Sequence, residues 1–173
     1  MTDAAFVTVA WAGALAVVTV GAALVRRFVA FATLVRTGSM RPALQPGDRL
    51  LTTRVHRGAR LRRGDVVVFR SHELGETLVK RLIGLPGERV ELTGDGLVRV
   101  DGDLLPEPYA RRSGAYRGTF EVPVDRYLLL GDDRDASVDA RSWADPYVAR
   151  RDLLGVARVR LVRASARAHP APA

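Results

Sequence analysis

Lys80 is the only lysine in a chain that carries 26 arginines. It lies within residues 77–85, an apolar run that is typical of a buried strand. Arginine keeps its proton at every working pH, whereas a lysine removed from water can lose its proton. The sequence therefore marks Lys80 as a candidate neutral amine that acts as a base, with an ordinary ion pair as the alternative.

A second candidate is Ser39, which lies in the turn-like sequence Thr-Gly-Ser-Met-Arg-Pro at residues 37–42. Gly38 allows the backbone to approach a ligand closely, and Pro42 stiffens the turn that follows. A serine in such a turn can present its hydroxyl beside backbone N–H groups that stabilise an oxyanion. The alternative is an ordinary loop.

A serine hydroxyl needs a base before it can attack a carbonyl, and histidine is the usual one. His56 and His72 lie in polar, charged stretches, and His169 lies in a Pro/Ala tail. A buried lysine can replace histidine if desolvation lowers its pKa by several units from about 10.4. Ser–Lys pairs are an established form of activated nucleophile, so Ser39 and Lys80 are the candidate pair.

Residues 131–141 are the third candidate segment, because Asp and Arg side chains crowd together there after an apolar run. Asp139 and Arg141 are placed to brace each other, and Ser137 is placed to hydrogen-bond the amine of Lys80. A solvated acidic loop and a calcium loop are the alternatives. The spacing of acidic residues partly fits a calcium loop, but its central glycine is absent.

Together these segments resemble the sequence boxes of bacterial type I signal peptidases, the membrane-bound serine–lysine endopeptidases. The resemblance covers residues 34–162 in the family's motif order. Residues 38–42 are similar to the nucleophile box, and residues 79–88 are similar to the box that carries the general base. Residues 131–141 resemble the box usually written Gly-Asp-Asn-Arg-Asp-x-Ser-x-Asp-Ser-Arg.

The resemblance implies a role for nine residues of this chain. Ser39 would be the nucleophile, and Lys80 would be the general base. The other implied residues are the oxyanion and support group Thr37, Ser137, Asp139 and Arg141, and the small-side-chain pocket Met40, Leu44 and Val79.

The implied activity is removal of N-terminal signal peptides from exported preproteins, by cleavage after small-x-small sites such as Ala-x-Ala. The family acts on the extracytoplasmic face of the bacterial cell membrane, without a metal or other cofactor. A specialised maturation protease of the same superfamily is one alternative. An inactive membrane-anchored β-domain that binds signal peptides is the other.

Two positions depart from the family pattern: Asp133 replaces the usual Asn, and Ala140 replaces the usual second Ser. Ala140 removes no proposed catalytic group. Asp133 adds a negative charge, which would favour the protonated amine if it lay near Lys80.

The elements that must position these residues are mainly strands. Period-two alternation and Gly/Pro punctuation at roughly ten-residue spacing predict a mainly β fold, a compact barrel or sandwich. We predict an exposed insertion over residues 106–118 and a short helix within residues 148–154. The predicted strands are residues 48–54, 65–70, 77–85, 88–92, 97–100, 126–130 and 157–162.

An uncharged segment, residues 4–25, precedes the β-rich part. As a helix it would span about 33 Å, enough to cross the hydrocarbon core, and it is longer than the core of a cleaved signal peptide. We therefore predict a retained N-terminal transmembrane helix. Residues 28–35 are too short to span, and would continue the helix or lie at the interface. Arg26 and Arg27 follow the span and favour a cytoplasmic domain, opposite to the location that the resemblance implies.

These segments divide the chain into an anchor at residues 1–27, an interfacial connection at residues 28–36, a β-rich peptidase domain at residues 37–163 and a flexible tail at residues 164–173. The chain has no cysteine, which excludes disulfides and thiolate metal sites. Its net charge of +8 suits anionic lipid or nucleic acid, but no basic–aromatic nucleic-acid motif accompanies the arginines. The predicted partners are preprotein substrates and the lipid bilayer, without nucleic acid.

Overall fold

The computed structural model describes residues 2–56, 58–112 and 116–162. It begins with one helix, α1 (Thr2–Phe28), and continues mainly as strands. A 3-10 helix, Arg150–Asp152, lies between the last two strands. The strands are β1 (Ala30–Leu34), β2 (Arg49–Arg54), β3 (Val66–Arg70), β4 (Thr77–Gly84), β5 (Arg89–Leu92), β6 (Val98–Val100), β7 (Asp103–Leu104), β8 (Gly118–Glu121), β9 (Arg126–Leu130), β10 (Tyr147–Ala149) and β11 (Leu153–Val162).

The strands form two sheets with antiparallel pairing. The larger sheet has the order β1-β2-β11-β3-β4-β9-β10, and the smaller has the order β7-β6-β5-β8. β11 pairs with both β2 and β3, and its register with β2 shifts after Ala157 and after Arg160. Such irregularities bend a strand and increase its twist. The larger sheet curls in consequence, and β1 and β4 line opposite sides of one groove.

β9 is apolar at successive positions, instead of alternating between apolar and polar residues, because it is buried on both faces. Leu128 and Leu130 pack into the cluster between the two sheets, whereas Leu129 packs into the cluster on the opposite face. All three side chains are fully buried. A strand covered on both faces needs apolar residues at every position, so β9 forms part of the core that holds β4 in place.

Gly84 ends β4 at the point where the two sheets come closest. A Cβ atom there would lie 2.8 Å from a methyl group of Val122 and 2.9 Å from side-chain atoms of Leu128 and Val90. Glycine is therefore required by close packing at this position.

The mainly β fold is confirmed, and the predicted boundaries of β9 match the structure. A position at the membrane interface stays a prediction for residues 28–35, but the other expectation for them, a continuation of the helix, is wrong beyond Phe28. The segment is instead an edge strand that pairs with β2, with the hydroxyls of Thr33 and Thr52 in a buried 2.8 Å hydrogen bond. Long-range pairing of this kind overrides weak local signals.

The predicted exposed insertion over residues 106–118 is wrong at Glu107, which is 3% exposed, and at its C-terminal end, where β8 begins. The predicted helical turn within residues 148–154 is confirmed as the 3-10 helix. The predicted tail, residues 164–173, lies outside the described residues. No helix in the described part of the chain is both long and apolar enough to cross a membrane.

Candidate active site

Lys80 lies in the middle of β4, opposite Val67 of β3, and its side chain is buried. Its Nζ donates a 2.8 Å hydrogen bond to Oγ of Ser137. Burial lowers the pKa of Lys80 from 10.5 to about 8; Asp139 and Asp132 act to raise it, and Arg141 acts to lower it. A large fraction of this amine is therefore neutral at mildly alkaline pH, which is the state that a general base requires.

Ser39 lies in the turn that follows β1, and it is 7% exposed. The turn is closed by the Arg41 N–H, which donates to the Gly38 carbonyl at 2.9 Å. The Ser39 hydroxyl lies 3.2 Å from the hydroxyl of Thr37. The Ser39 carbonyl accepts a 3.0 Å hydrogen bond from the Asp133 N–H, so this turn is tied to the loop that follows β9.

Gly131 is the residue at which the two segments meet. A Cβ atom on Gly131 would lie 2.1 Å from Oγ of Ser137 and 2.7 Å from the carbonyl oxygen of Ser39. Only glycine fits between these two atoms. Ser137 in turn contacts Lys80, so Gly131 links the backbone of the serine turn to the side chain that binds the amine. The hydroxyl of Ser39 is itself hydrogen-bonded to Thr37, and the amine of Lys80 to Ser137.

Asp139 and Arg141 form the brace that the sequence predicted. The Arg141 guanidinium donates to both carboxylate oxygens of Asp139, at 2.8 Å and 3.0 Å, and to the Ser137 carbonyl at 3.3 Å. Asp139 also accepts from the Gly131 N–H at 2.9 Å. Burial alone would raise the pKa of Asp139, but these hydrogen bonds and the Arg141 charge hold it below its usual value. The carboxylate therefore stays ionised and fixes the loop.

A groove with a volume of about 480 Å³ opens beside Ser39. One side is β1 with the residues after it, and the other is the start of β4 with the turn before it. Val79 lines the groove, as the sequence expectation for the substrate pocket requires. Met40 and Leu44, which were predicted for the same pocket, are not among the residues that line this groove. They are buried in an apolar cluster, against which Val79 packs.

Residues 8–162 match the family model for signal peptidases, peptidase S26. The chain belongs to this signal peptidase family. It is 40% identical over 146 residues to signal peptidase I of Leptolyngbya laminosa, which covers 79% of this chain and 70% of the relative. It is also 40% identical over 146 residues to probable signal peptidase I-2 of Synechocystis sp., with 79% of this chain and 65% of the relative covered.

The fold agrees with that assignment. The crystal structure of a signal peptidase I from Enterococcus faecalis V583 matches with a TM-score of 0.52 and 30% identity, over 58% of this chain and 98% of the other. The resemblance to type I signal peptidases is thus confirmed, and the chain is a peptidase of the signal peptidase I type.

The two departures from the family pattern have separate structural settings. Ala140 is 2% exposed and packs in the apolar cluster between the sheets, where a hydroxyl would need a partner. Asp133 is 4% exposed. Its Oδ1 has no hydrogen-bond partner within the described part of the chain, and its Oδ2 lies 4.0 Å from the Arg111 guanidinium. The carboxylates that raise the pKa of Lys80 are Asp139 and Asp132.

A buried ionic network beside the site was not foreseen from the sequence. Arg81 donates to both carboxylate oxygens of Asp132, at 2.8 Å and 2.5 Å. Arg134 pairs with Glu107 at 2.5 Å, and both side chains are almost fully buried. The Asp and Arg density of residues 131–141 signalled ion pairs, but no sequence signal identified Glu107 as a partner. Across the residues that the structure describes, no cluster of three or more His, Asp or Glu side chains is arranged to hold a metal ion.

Proposed function

We propose that this chain is a membrane-bound serine endopeptidase that removes N-terminal signal peptides from exported preproteins with a Ser39–Lys80 dyad. The observation that carries the proposal is the setting of Lys80. Its amine is buried, has a pKa lowered to about 8 and donates to Ser137, whose hydroxyl packs against Gly131 beside Ser39. The names of the relatives supply the substrate class.

The reaction begins when neutral Lys80 takes the hydroxyl proton of Ser39 as Oγ attacks the carbonyl carbon of the scissile peptide bond. The Ser39 N–H and the Thr37 hydroxyl, which already lies 3.2 Å from Oγ, donate to the tetrahedral oxyanion. One such donor contributes about 3–4 kcal/mol to the transition state. Protonated Lys80 then gives its proton to the leaving amine. Water, deprotonated by the same amine, releases the acyl group from Ser39.

Ser137, Asp139 and Arg141 support this chemistry without joining it. Ser137 accepts from the Lys80 amine at 2.8 Å and so directs the amine lone pair. Asp139, held by Arg141 and the Gly131 N–H, keeps the loop that carries Ser137 in place. Rigid support of this kind is what a dyad needs to hold its reactive geometry.

The groove beside Ser39 fits an extended peptide. β1 is an edge strand of the larger sheet, and an edge strand can pair with an added peptide strand through backbone hydrogen bonds. Val79 lines the groove, while Met40 and Leu44 back Val79 from the apolar cluster. Alternate side chains of such a strand would point into the groove, where cleavage after small-x-small sites requires that only small side chains fit.

The location that we propose is the bacterial cell membrane, with residues 4–25 as a single-pass anchor and the peptidase domain on the extracytoplasmic face. Exposed apolar side chains Phe28, Val29 and Leu34 lie at or near the strand that lines the groove, which suits a site held at a bilayer surface. Digestion of intact spheroplasts with an external protease tests the orientation: the domain should be cut before the membrane is opened.

The activity test uses the full chain in phospholipid–detergent micelles and a preprotein with an Ala-x-Ala site. Mass spectrometry of the product should give the mature N-terminus for the wild type. Neither Ser39→Ala nor Lys80→Ala should yield it. Ser71→Ala is the matched control, because Ser71 is also a buried serine but lies in the turn between β3 and β4.

Three results would count against parts of this proposal. Cleavage by Ser39→Ala would reject the nucleophile. Binding of the preprotein without cleavage by the wild type would favour an inactive signal-peptide-binding domain. Cleavage of one preprotein out of a broad panel would favour a specialised maturation protease.

A further inference from the structure

Residues 107–111, here called the clasp, lie outside the three sequence boxes and yet contact the loop that carries Ser137. We propose that the clasp is a positioning device for the dyad, with Glu107 and Tyr109 as its positioning residues. This inference rests on the proposed function of Ser39 and Lys80. It assigns catalytic importance to a segment that the sequence had marked as an exposed insertion.

The backbone of the clasp is hydrogen-bonded to the loop after β9 as in a β-ladder. The Arg111 N–H donates to the Asp132 carbonyl at 2.7 Å, and the Arg134 N–H donates back to the Arg111 carbonyl at 3.1 Å. Arg111 and Asp133 thereby form a parallel β-bridge. Asp133 is the residue whose N–H binds the Ser39 carbonyl, so one residue separates the clasp from the nucleophile turn.

Glu107 supplies the second link. Its carboxylate accepts a 2.5 Å hydrogen bond from Arg134, with the two side chains 2% and 3% exposed. The same guanidinium donates through Nε to the Gly131 carbonyl at 2.9 Å. Gly131 is the residue that packs against both Ser137 and Ser39. Glu107 thus fixes the orientation of the Arg134 guanidinium, which in turn holds Gly131 in place.

Tyr109 supplies the third link, and this one acts on the base. Its hydroxyl donates to Glu107 at 3.1 Å, and its ring lies 3.8 Å from the Arg81 guanidinium in a cation–π contact. Burial raises the pKa of Tyr109, and the Glu107 charge adds to that effect, so the phenol stays a donor over the working pH range. The Arg81 guanidinium, positioned by this ring, donates to both carboxylate oxygens of Asp132.

Asp132 connects the clasp to the proton affinity of Lys80. The charged groups that act on the Lys80 amine are Asp139, Arg141 and Asp132, all from the loop after β9. On the neighbouring strands, Val67 of β3 lies opposite Lys80, and Leu130 of β9 lies opposite the next residue, Arg81; both are apolar. If Arg81 loosens, Asp132 is less neutralised and favours the protonated amine of Lys80. A damaged clasp should therefore alter the pH dependence of catalysis as well as its rate.

The variants that test this idea are Tyr109→Leu, which removes the ring from Arg81, and Glu107→Gln, which removes the charge from Arg134. Tyr109→Phe is the conservative rescue, since it keeps the ring and loses only the hydroxyl. Tyr127→Phe is the matched control, because Tyr127 is a buried tyrosine whose hydroxyl accepts a 2.9 Å hydrogen bond from Arg150, away from the loop.

The full chain in phospholipid–detergent micelles is assayed on the Ala-x-Ala preprotein between pH 6 and 10, per mole of folded protein measured by circular dichroism. Tyr109→Leu and Glu107→Gln should each lower kcat by about tenfold or more, with KM changed by less than about threefold. The midpoint of the acid limb should move to higher pH in Tyr109→Leu, in which Arg81 loses its aromatic contact. Tyr109→Phe should recover most of the lost kcat, and Tyr127→Phe should match the wild type.

A lower Tm in Tyr109→Leu and Glu107→Gln with unchanged kcat and unchanged pH midpoint would overturn the inference, because the clasp would then only support the fold. If one of these variants does not fold, the other decides by the same criteria. Failure of both to fold would overturn the inference, because the clasp would then be needed for the fold itself. Failure of the dyad itself has a different signature: Ser39→Ala or Lys80→Ala would then retain activity.

Discussion

The Nζ of Lys80 and the Oγ of Ser137 lie 2.8 Å apart, although 57 positions separate them in the chain. The contact joins a strand buried on both sides to a loop braced by an ion pair, and it leaves the amine in a place where water cannot solvate its charge. A lysine so placed is costly to protonate. That cost favours the neutral amine, which is the state that the proposed dyad with Ser39 requires.

The first prediction concerns the charge that arginine cannot lose. Lys80→Arg should be as inactive as Lys80→Ala, with kcat/KM on the preprotein lowered by about a thousandfold or more, because neither variant carries a titratable base. Thermal unfolding of each variant shows whether the protein is still folded. Processing by Lys80→Arg at the wild-type rate would contradict the role of Lys80.

The second prediction concerns stability and pH. The pKa of Lys80 falls from 10.5 to about 8 on folding, so the unfolded chain binds this proton more tightly than the native protein. The penalty is fully present below about pH 8 and disappears as pH rises to about 10.5. Lys80→Met should therefore raise the free energy of unfolding by about 3 kcal/mol at pH 7, and by much less at pH 10.

Urea denaturation of Lys80→Met and wild type at both pH values measures this difference, in which the titration of all other groups largely cancels. An equal gain at pH 7 and pH 10 would show that packing, and not the lysine charge, is responsible. The variant should be inactive throughout.

The third prediction concerns Gly131, which lies between the two halves of the site. Gly131→Ala places a methyl group 2.1 Å from Oγ of Ser137 and 2.7 Å from the Ser39 carbonyl oxygen. At least one of these groups must move by a large fraction of an ångström, which should lower kcat by about a hundredfold. Gly58→Ala is the control, since nothing lies within 4 Å of its added Cβ. If Gly131→Ala were as active as Gly58→Ala, the close contacts of Gly131 with Ser137 and Ser39 would not matter for activity.

The fourth prediction concerns Asp133, whose Oδ1 is buried without a partner in the described residues. An amide costs less to bury than a carboxylate, and the Asp133 N–H that holds Ser39 is unaffected by the change. Asp133→Asn should raise the free energy of unfolding by about 1 kcal/mol and leave kcat within about threefold of the wild type. Chemical denaturation measures the free energy of unfolding, and the preprotein assay measures kcat. A destabilised Asp133→Asn would mean that the carboxylate makes a stabilising interaction in the native protein.

Parts of this fold and site can be predicted from the sequence because they depend on residue types that are close together in the chain. A lone lysine among 26 arginines identified Lys80 as the candidate base, and the structure shows that this lysine is buried. The apolar run of β9 is continuous because both of its faces are covered. Gly131 and the acidic loop after β9 are recognisable from residue types at fixed spacing.

Other parts depend on distant partners and carry little local signal. β1 is a strand because β2 lies beside it, yet its five residues follow the helix directly without a turn signal. Glu107 lies between two prolines in a stretch that has the composition of a surface loop. Its burial is possible only because Arg134, 27 positions later, neutralises it. Pairing of buried charges across a chain is not visible from one partner alone.

The most direct test of the central claim uses the fact that the chain has one lysine. Lysine labelled with ¹³C at Cε gives a single side-chain NMR signal from the full chain in micelles, and its chemical shift reports the protonation of Lys80 as pH is raised. We predict a titration midpoint of about 8. A midpoint near the ordinary value of about 10.4 would mean that the amine is charged at working pH, and that it cannot be the base for Ser39.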